Sequence, residues 1–236
     1  MSVPSQTGMG VQSSAAEESS ALTKVMLFAI VQLAGVIGGA VGVFYVFSSV
    51  FMNTNLFTSL PTNPTPAQVA TALGPVFQDV TYIIPLALGI EIIGLLLLFL
   101  GLRGLGKVDG PRFRVPSVLT ALMIVGLLLV AGGAVPLINS IPNLISQAPS
   151  SGTPSAAFMN QLSTLIGYLG IILLGGLLSL IGIIGGLILG LWRVGSRYNQ
   201  TTIKIGAIFE IIPLLNIVAP ILIILGASEA KQTVSR

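Results

Sequence analysis

The chain has 236 residues, of which 53% are hydrophobic and only 7% charged, with a net charge of +3. An ordinary soluble domain carries roughly 25% charged residues, so a soluble fold of this length could not cover its surface, and lipid must be the solvent for much of it. The chain contains no Cys and no His. The usual ligands of zinc, haem and iron–sulfur clusters are therefore missing, as is the commonest acid–base group near neutral pH. No metal and no cofactor is expected. The basic residues stand beside apolar runs, which argues against nucleic acid and for membrane lipid as a partner.

Residues 1–21 are Ser-rich, carry Glu17 and Glu18, and lack the positive start of a signal peptide. They read as a flexible cytoplasmic tail. Ser14-Ala15-Ala16-Glu17 fits a capping box from which a short helix could run into the first span. Ser2 stands where N-myristoylation requires Gly.

A bilayer core needs about 20 apolar residues per helix. Five runs qualify, at 25–51, 81–102, 115–138, 162–192 and 205–227. The fold class that follows is all-α: a polytopic transmembrane bundle of about five spans within 22–227, with a short tail at 228–236. Pro213, Asn216 and Pro220 interrupt the last run, so the fifth span is Pro-broken or re-entrant.

Lys and Arg set the orientation. Arg103, Lys107, Arg112 and Arg114 follow the second span, Arg193, Arg197 and Lys204 follow the fourth, and Lys24 precedes the first. Stretches 52–80 and 141–161 contain neither Lys nor Arg. The N-terminus is therefore expected in the cytoplasm, in a plasma (cell) membrane protein. Five full spans leave Lys231 and Arg236 on the wrong side, and a segment returning to the cytoplasm would restore the rule. A kinked single span is the preferred reading, because short tails translocate with few charges. The sequon Asn199-Gln200-Thr201 falls in a cytoplasmic loop. Basic loops of this kind can also bind anionic headgroups.

Thr65-Pro66-Ala67 and Thr153-Pro154-Ser155-Ala156 precede the second and fourth spans. In each, Thr can cap and Pro can take the first helical position. Each following span ends in a basic pair four apart, Arg103/Lys107 and Arg193/Arg197, which suggests two similar hairpins with a fifth segment added.

Glycine is patterned in two spans: Gly35, Gly38, Gly39 and Gly42 in the first, and Gly182, Gly186 and Gly190, with Gly185 beside them, in the fourth. This spacing lets backbones approach closely, within one chain or between subunits of a homo-oligomer or membrane complex.

Glu91 and Glu210 lie inside apolar runs, where a charge costs about 2.5–3.5 kcal/mol on insertion scales. At 1.5 Å per residue, Glu91 and Asn216 fall about 18 Å from the nearest basic residue, Ser179 about 21 Å, Gln32 about 12 Å and Glu210 about 9 Å. These five form a candidate intramembrane polar or ion site, of a form shared with secondary transporters. Glu91 ranks first, and Glu210 is expected to snorkel or pair with Lys204. Pro136-Leu-Ile-Asn139 parallels Pro213-Leu-Leu-Asn216, and Pro136 reads as a kink or helix end. No nucleotide-binding loop or nucleophile triad is present; Gly101, Gly104 and Gly106 near Lys107 do not follow a strand. An enzyme is not expected.

The stretch Gly206-Ala-Ile-Phe-Glu-Ile-Ile-Pro-Leu-Leu-Asn-Ile-Val-Ala-Pro-Ile-Leu-Ile-Ile-Leu-Gly226 resembles the last span of a family of uncharacterised archaeal multi-pass membrane proteins. The resemblance implies a five-span layout with Ser/Thr-rich outer loops and transfers no activity and no catalytic residue. The residues point first to a structural or accessory membrane component acting through helix packing; the alternative is a small proton- or cation-coupled transporter or channel using a midplane carboxylate.

Overall fold

A computed structural model describes residues 7–51, 60–149 and 153–235. The described residues contain helices and no strand. They are α1 (Thr7–Phe51), α2 (Pro66–Val108), α3 (Gly110–Ser146), α4 (Ala156–Arg197), α5 (Thr201–Phe209) and α6 (Val218–Val234). Within α4, Ile183–Ile188 is π-helical. Helices α1 to α4 are long and apolar enough to cross a membrane. Ser2 and Arg236, and residues 52–59 and 150–152 of the stretches without Lys or Arg, lie outside the described residues.

The helices run past the hydropathy boundaries because capping chemistry, not apolarity, sets where they start. Thr65 N–H donates to Gln68 Oε1 at 2.8 Å and Gln68 N–H to Thr65 Oγ1 at 3.4 Å, a reciprocal capping box that begins α2 fifteen residues before the apolar run. At α4 the cap is Ser155, whose Oγ accepts from Phe158 N–H at 3.2 Å; Thr153 and Pro154 precede the helix rather than starting it. The stretch 1–21, read as a flexible tail, is helical from Thr7 onward, and Ala21 and Leu22 are buried.

Two compact units divide the chain. The first comprises Met1–Ile37, Ile90–Val125 and Leu178–Arg236; the second comprises Gly38–Gly89 and Gly126–Leu177. Every described Lys and Arg belongs to the first unit, and the second carries none.

In the first unit α1 and α2 pack antiparallel. A Cβ added to Gly101 would stand 3.0 Å from Val25 and 3.1 Å from the Ala21 carbonyl, and one on Gly104 would stand 3.1 Å from Ala21. Antiparallel packing of α3 on α4 is closer still. A Cβ on Gly186 would stand 2.5 Å from the Thr120 backbone nitrogen, Gly182 lies against the Met123 backbone, and Gly185 against Leu119. Gly190 faces Leu102, 2.8 Å from where its Cβ would be. In lipid such contacts are rewarded by dispersion rather than by the hydrophobic effect. The second unit repeats the pattern: a Cβ on Gly175 would meet the Gly126 carbonyl at 2.6 Å, and one on Gly133 would meet Ile172 at 2.7 Å. There Thr81 donates to Asn139 Oδ1 at 3.1 Å and Gln161 to the Ser140 carbonyl at 3.1 Å.

The fifth apolar run is not a kinked span. It is an antiparallel helical hairpin, α5–α6, which returns to the end it started from. Gly206 of α5 lies against Ala219 and Ile223, and Gly226 of α6 against Thr202 and Ile203. Residues 210–217 leave the helix. Pro213 brings no N–H to that break, and Pro220 stands in the first turn of α6, where its missing donor costs nothing. The chain enters the hairpin through Asn199, whose φ of 56° supplies the left-handed residue that ends α4. Gln200 N–H reaches back to the Gly195 carbonyl at 2.7 Å, closing a Schellman-type cap.

Candidate functional site

Two polar constellations occupy the first unit. One lies where the basic ends of the helices meet. Arg197 closes α4 and donates from Nη2 to Glu18 of α1 at 2.8 Å and from Nη1 to Asp109, the residue joining α2 and α3, at 2.9 Å. Tyr198 donates to the other oxygen of Glu18 at 2.9 Å and lies under the Arg197 guanidinium, 5.7 Å from it. Burial, and then the bond to Glu18, hold the Tyr198 phenol above its ordinary range. Arg193 donates to the Arg112 carbonyl. Three elements are thus clasped by one guanidinium whose fork geometry suits two carboxylates at once.

The other lies at the break between α5 and α6. Gln32, in the middle of α1 and only 6% exposed, donates from Nε2 to Glu210 Oε2 at 2.6 Å. Glu210 caps the C-terminal end of α5, the negative end of the helix dipole, where a carboxylate is disfavoured and a cation favoured. Gln32 Oε1 and Glu210 Oε1 are both buried without a hydrogen-bond partner, and so is Asn216 Oδ1 in the break. Glu91, half-buried on α2, lies within electrostatic reach of Glu210. No described Lys or Arg pairs with either carboxylate.

Of the five residues grouped from the sequence, Gln32 and Glu210 are bonded to each other, with Glu91 within electrostatic reach of Glu210. Asn216 stands six residues along the same break. Ser179, on α4, is buried with an unpartnered Oγ, and no described bond joins it to the others. Glu210 does not pair with Lys204, whose ammonium sits 5.8 Å over the Trp192 ring; its described partner is Gln32. Thr202 Oγ1, on α5, is a further buried unpartnered oxygen to which nothing in the local sequence points.

Among the glycines read as packing positions, Gly182, Gly186 and Gly190 lie in tight interfaces, and Gly35 and Gly42 touch Ile90 and Ile83; Gly38 and Gly39 have nothing within 4 Å of a Cβ. Among the basic residues, Arg103, Lys107 and Arg114 line a pocket between α2 and α3. No group of three or more His, Cys, Asp or Glu side chains able to hold a metal occurs among the described residues.

Four apolar helices, with every described Lys and Arg confined to one unit, define a multi-pass helical membrane protein. No protein-family model, curated protein or solved structure matches the chain.

Proposed function

We propose that this is a small cation- or proton-coupled transporter or channel of the plasma (cell) membrane, with its N-terminus in the cytoplasm, and that Glu210 is its ion-handling group. The observation that carries this reading is the buried Gln32–Glu210 pair, which presents two unpartnered acceptor oxygens at the broken end of a half-length helix. Acceptors of this kind, in low dielectric and at the negative end of a helix, attract a small cation or a proton. Broken helices whose C-terminal ends face a coupling ion are a recurrent device in secondary transporters. A second carboxylate, Glu91, lies within electrostatic reach of Glu210 and would add to the site's attraction for a cation.

Purified protein reconstituted into liposomes tests this. Wild type should dissipate an imposed proton or sodium gradient, and Glu210→Gln should cut the flux at least tenfold, with Glu91→Gln weaker but in the same direction. A folded wild type that passes neither ion, or a Glu210→Gln variant with undiminished flux, sinks the reading.

A second reading, an accessory component acting through helix contacts, is favoured by the tip of the α5–α6 hairpin. Ile211, Ile212 and Leu214 are exposed there, Leu214 at 89%, on backbone that has left the helix. At membrane depth such backbone needs protein or water around it, and a partner chain would supply the cover. Cross-linking through Leu214→Cys in membranes would capture such a partner, and exclusive recovery of monomer would rule this reading out.

A further inference from the structure

We infer that the end of the α2–α3 hairpin holds a binding site for the phosphate headgroup of an anionic membrane lipid. The site stands apart from the cation reading and depends on none of its residues. An open pocket of about 420 Å³ lies between the two helices, lined among others by Phe99, Arg103, Lys107, Phe113, Arg114 and Val118. Its chemistry changes in one direction. Arg103 and Lys107 are one turn apart on α2, and Phe99 is one turn further from the hairpin end. On α3, Val118 is likewise one turn further from that end than Arg114. A turn rises about 5.4 Å, so a ring of three cations gives way to an apolar wall over roughly the distance from a headgroup phosphate to the start of its acyl chain. Phe113, fully buried, is the floor between them.

The cations are not committed elsewhere. Neither Arg103 nor Arg114 forms a described hydrogen bond or ion pair, in contrast to Arg197 in the clasp. Lys107 has only Glu17 at 3.6 Å, with both side chains half or more exposed, a contact of little strength in water. Two free guanidiniums and an ammonium facing one pocket suit a phosphate, which accepts bidentate bonds from Arg. The apolar wall favours a phosphate that carries chains over one free in solution. Generic topogenic charge would require only that the residues face the headgroup region; it would not require a pocket with a Phe floor.

The test uses the full-length protein in a neutral detergent. Micelles doped with phosphatidylglycerol, with phosphatidylcholine, or supplied with inorganic phosphate alone are compared by melting temperature and by lipid retained in native mass spectrometry. Phosphatidylglycerol should be retained and should raise the melting temperature; phosphatidylcholine and inorganic phosphate should do neither. Arg103→Gln/Arg114→Gln should lose retention at least tenfold. Lys24→Gln/Arg112→Gln, which removes the same charge outside the pocket, should retain it. Val118→Trp keeps every charge, narrows the apolar wall and should also lose the lipid. Equal loss in the two double variants would mean diffuse surface charge and would overturn the site. So would stabilisation by inorganic phosphate alone, or full retention in Val118→Trp.

Discussion

The α3–α4 seam and the α5–α6 break lie in the same unit and are built on opposite terms. In the seam the backbones meet closely and the polar groups, Ser179 Oγ excepted, are matched. Gly182, Gly185 and Gly186 remove side chains so that α4 can lie on α3, Thr120 satisfies its hydroxyl on the Pro116 carbonyl at 2.9 Å, and Arg197 closes the end on two carboxylates. At the break, Gln32 Oε1, Glu210 Oε1 and Asn216 Oδ1 are all left without donors. Three of the buried oxygens without partners among the described residues belong to Gln32, Glu210 and Asn216, and Ser179 on α4 and Thr202 on α5 are the others; on the proposed function, that concentration marks a place kept for chemistry rather than stability. Changes in the frame should therefore cost stability, and changes at the break should cost function alone.

The largest effect belongs to the seam. Gly186→Leu must push α3 away from α4, because even a Cβ would stand 2.5 Å from the Thr120 backbone nitrogen. Overpacking typically costs about 1–3 kcal/mol, and here the neighbour is backbone that cannot rotate aside, so a loss near the top of that range is expected in reversible unfolding in mixed micelles. Gly39→Leu, with nothing within 4 Å of its Cβ, should change the same midpoint little. A large loss at Gly39 would mean that its face is covered by another chain.

The clasp comes next. Arg197→Met leaves Glu18 and Asp109 without their shared partner. Charged hydrogen bonds contribute about 1.5–3 kcal/mol each when buried; all three side chains are below a third exposed, and solvent screening brings the expected loss to about 2 kcal/mol. Tyr198→Phe removes one bond to Glu18 and should cost about 1 kcal/mol. It should also alter the alkaline limb. A phenol held above its free value contributes stability that is present below pH ~10 and is lost as pH rises through its folded value. Wild type should weaken above that point, and the Phe variant should weaken less.

The four long spans were legible because composition decides them: runs of this length and apolarity have no stable place in water. Their ends were not. The α2 start depends on Thr65 and Gln68 exchanging bonds in a polar stretch that hydropathy scores as loop. The hairpin was half legible. Pro213, Asn216 and Pro220 announced a break, and Lys231 argued for a return, but whether a broken segment continues or folds back depends on contacts between residues twenty apart. One local pattern could have decided it: Gly206 and Gly226 stand at equal distance either side of Asn216, as two helices closing on each other require. The sequon at Asn199 says nothing of the turn it makes, although Asn is among the few residues that adopt a left-handed backbone readily. The pairing of Gln32 with Glu210, 178 residues apart, is a fact of tertiary packing. Counting helical rise put both at similar depth but could not say that α1 and α5 are neighbours.

The smallest stability change should come from the substitution with the largest effect on flux. Glu210→Gln keeps an acceptor for the Gln32 amide, since the new side chain retains a carbonyl oxygen. It also replaces the unpartnered Glu210 Oε1 with an N–H₂, so the break holds one buried acceptor fewer and one donor more. Desolvated charge is removed at the same time. The unfolding midpoint should stay within about 0.5 kcal/mol of wild type or rise, while ion flux falls. The same substitution at Glu18 should do the reverse, lowering the midpoint and sparing the flux. If Glu210→Gln destabilises the protein as much as Arg197→Met does, the break belongs to the frame, Gln32–Glu210 is an interhelical tie between α1 and the hairpin, and the contrast between the two regions fails at the point where it was drawn.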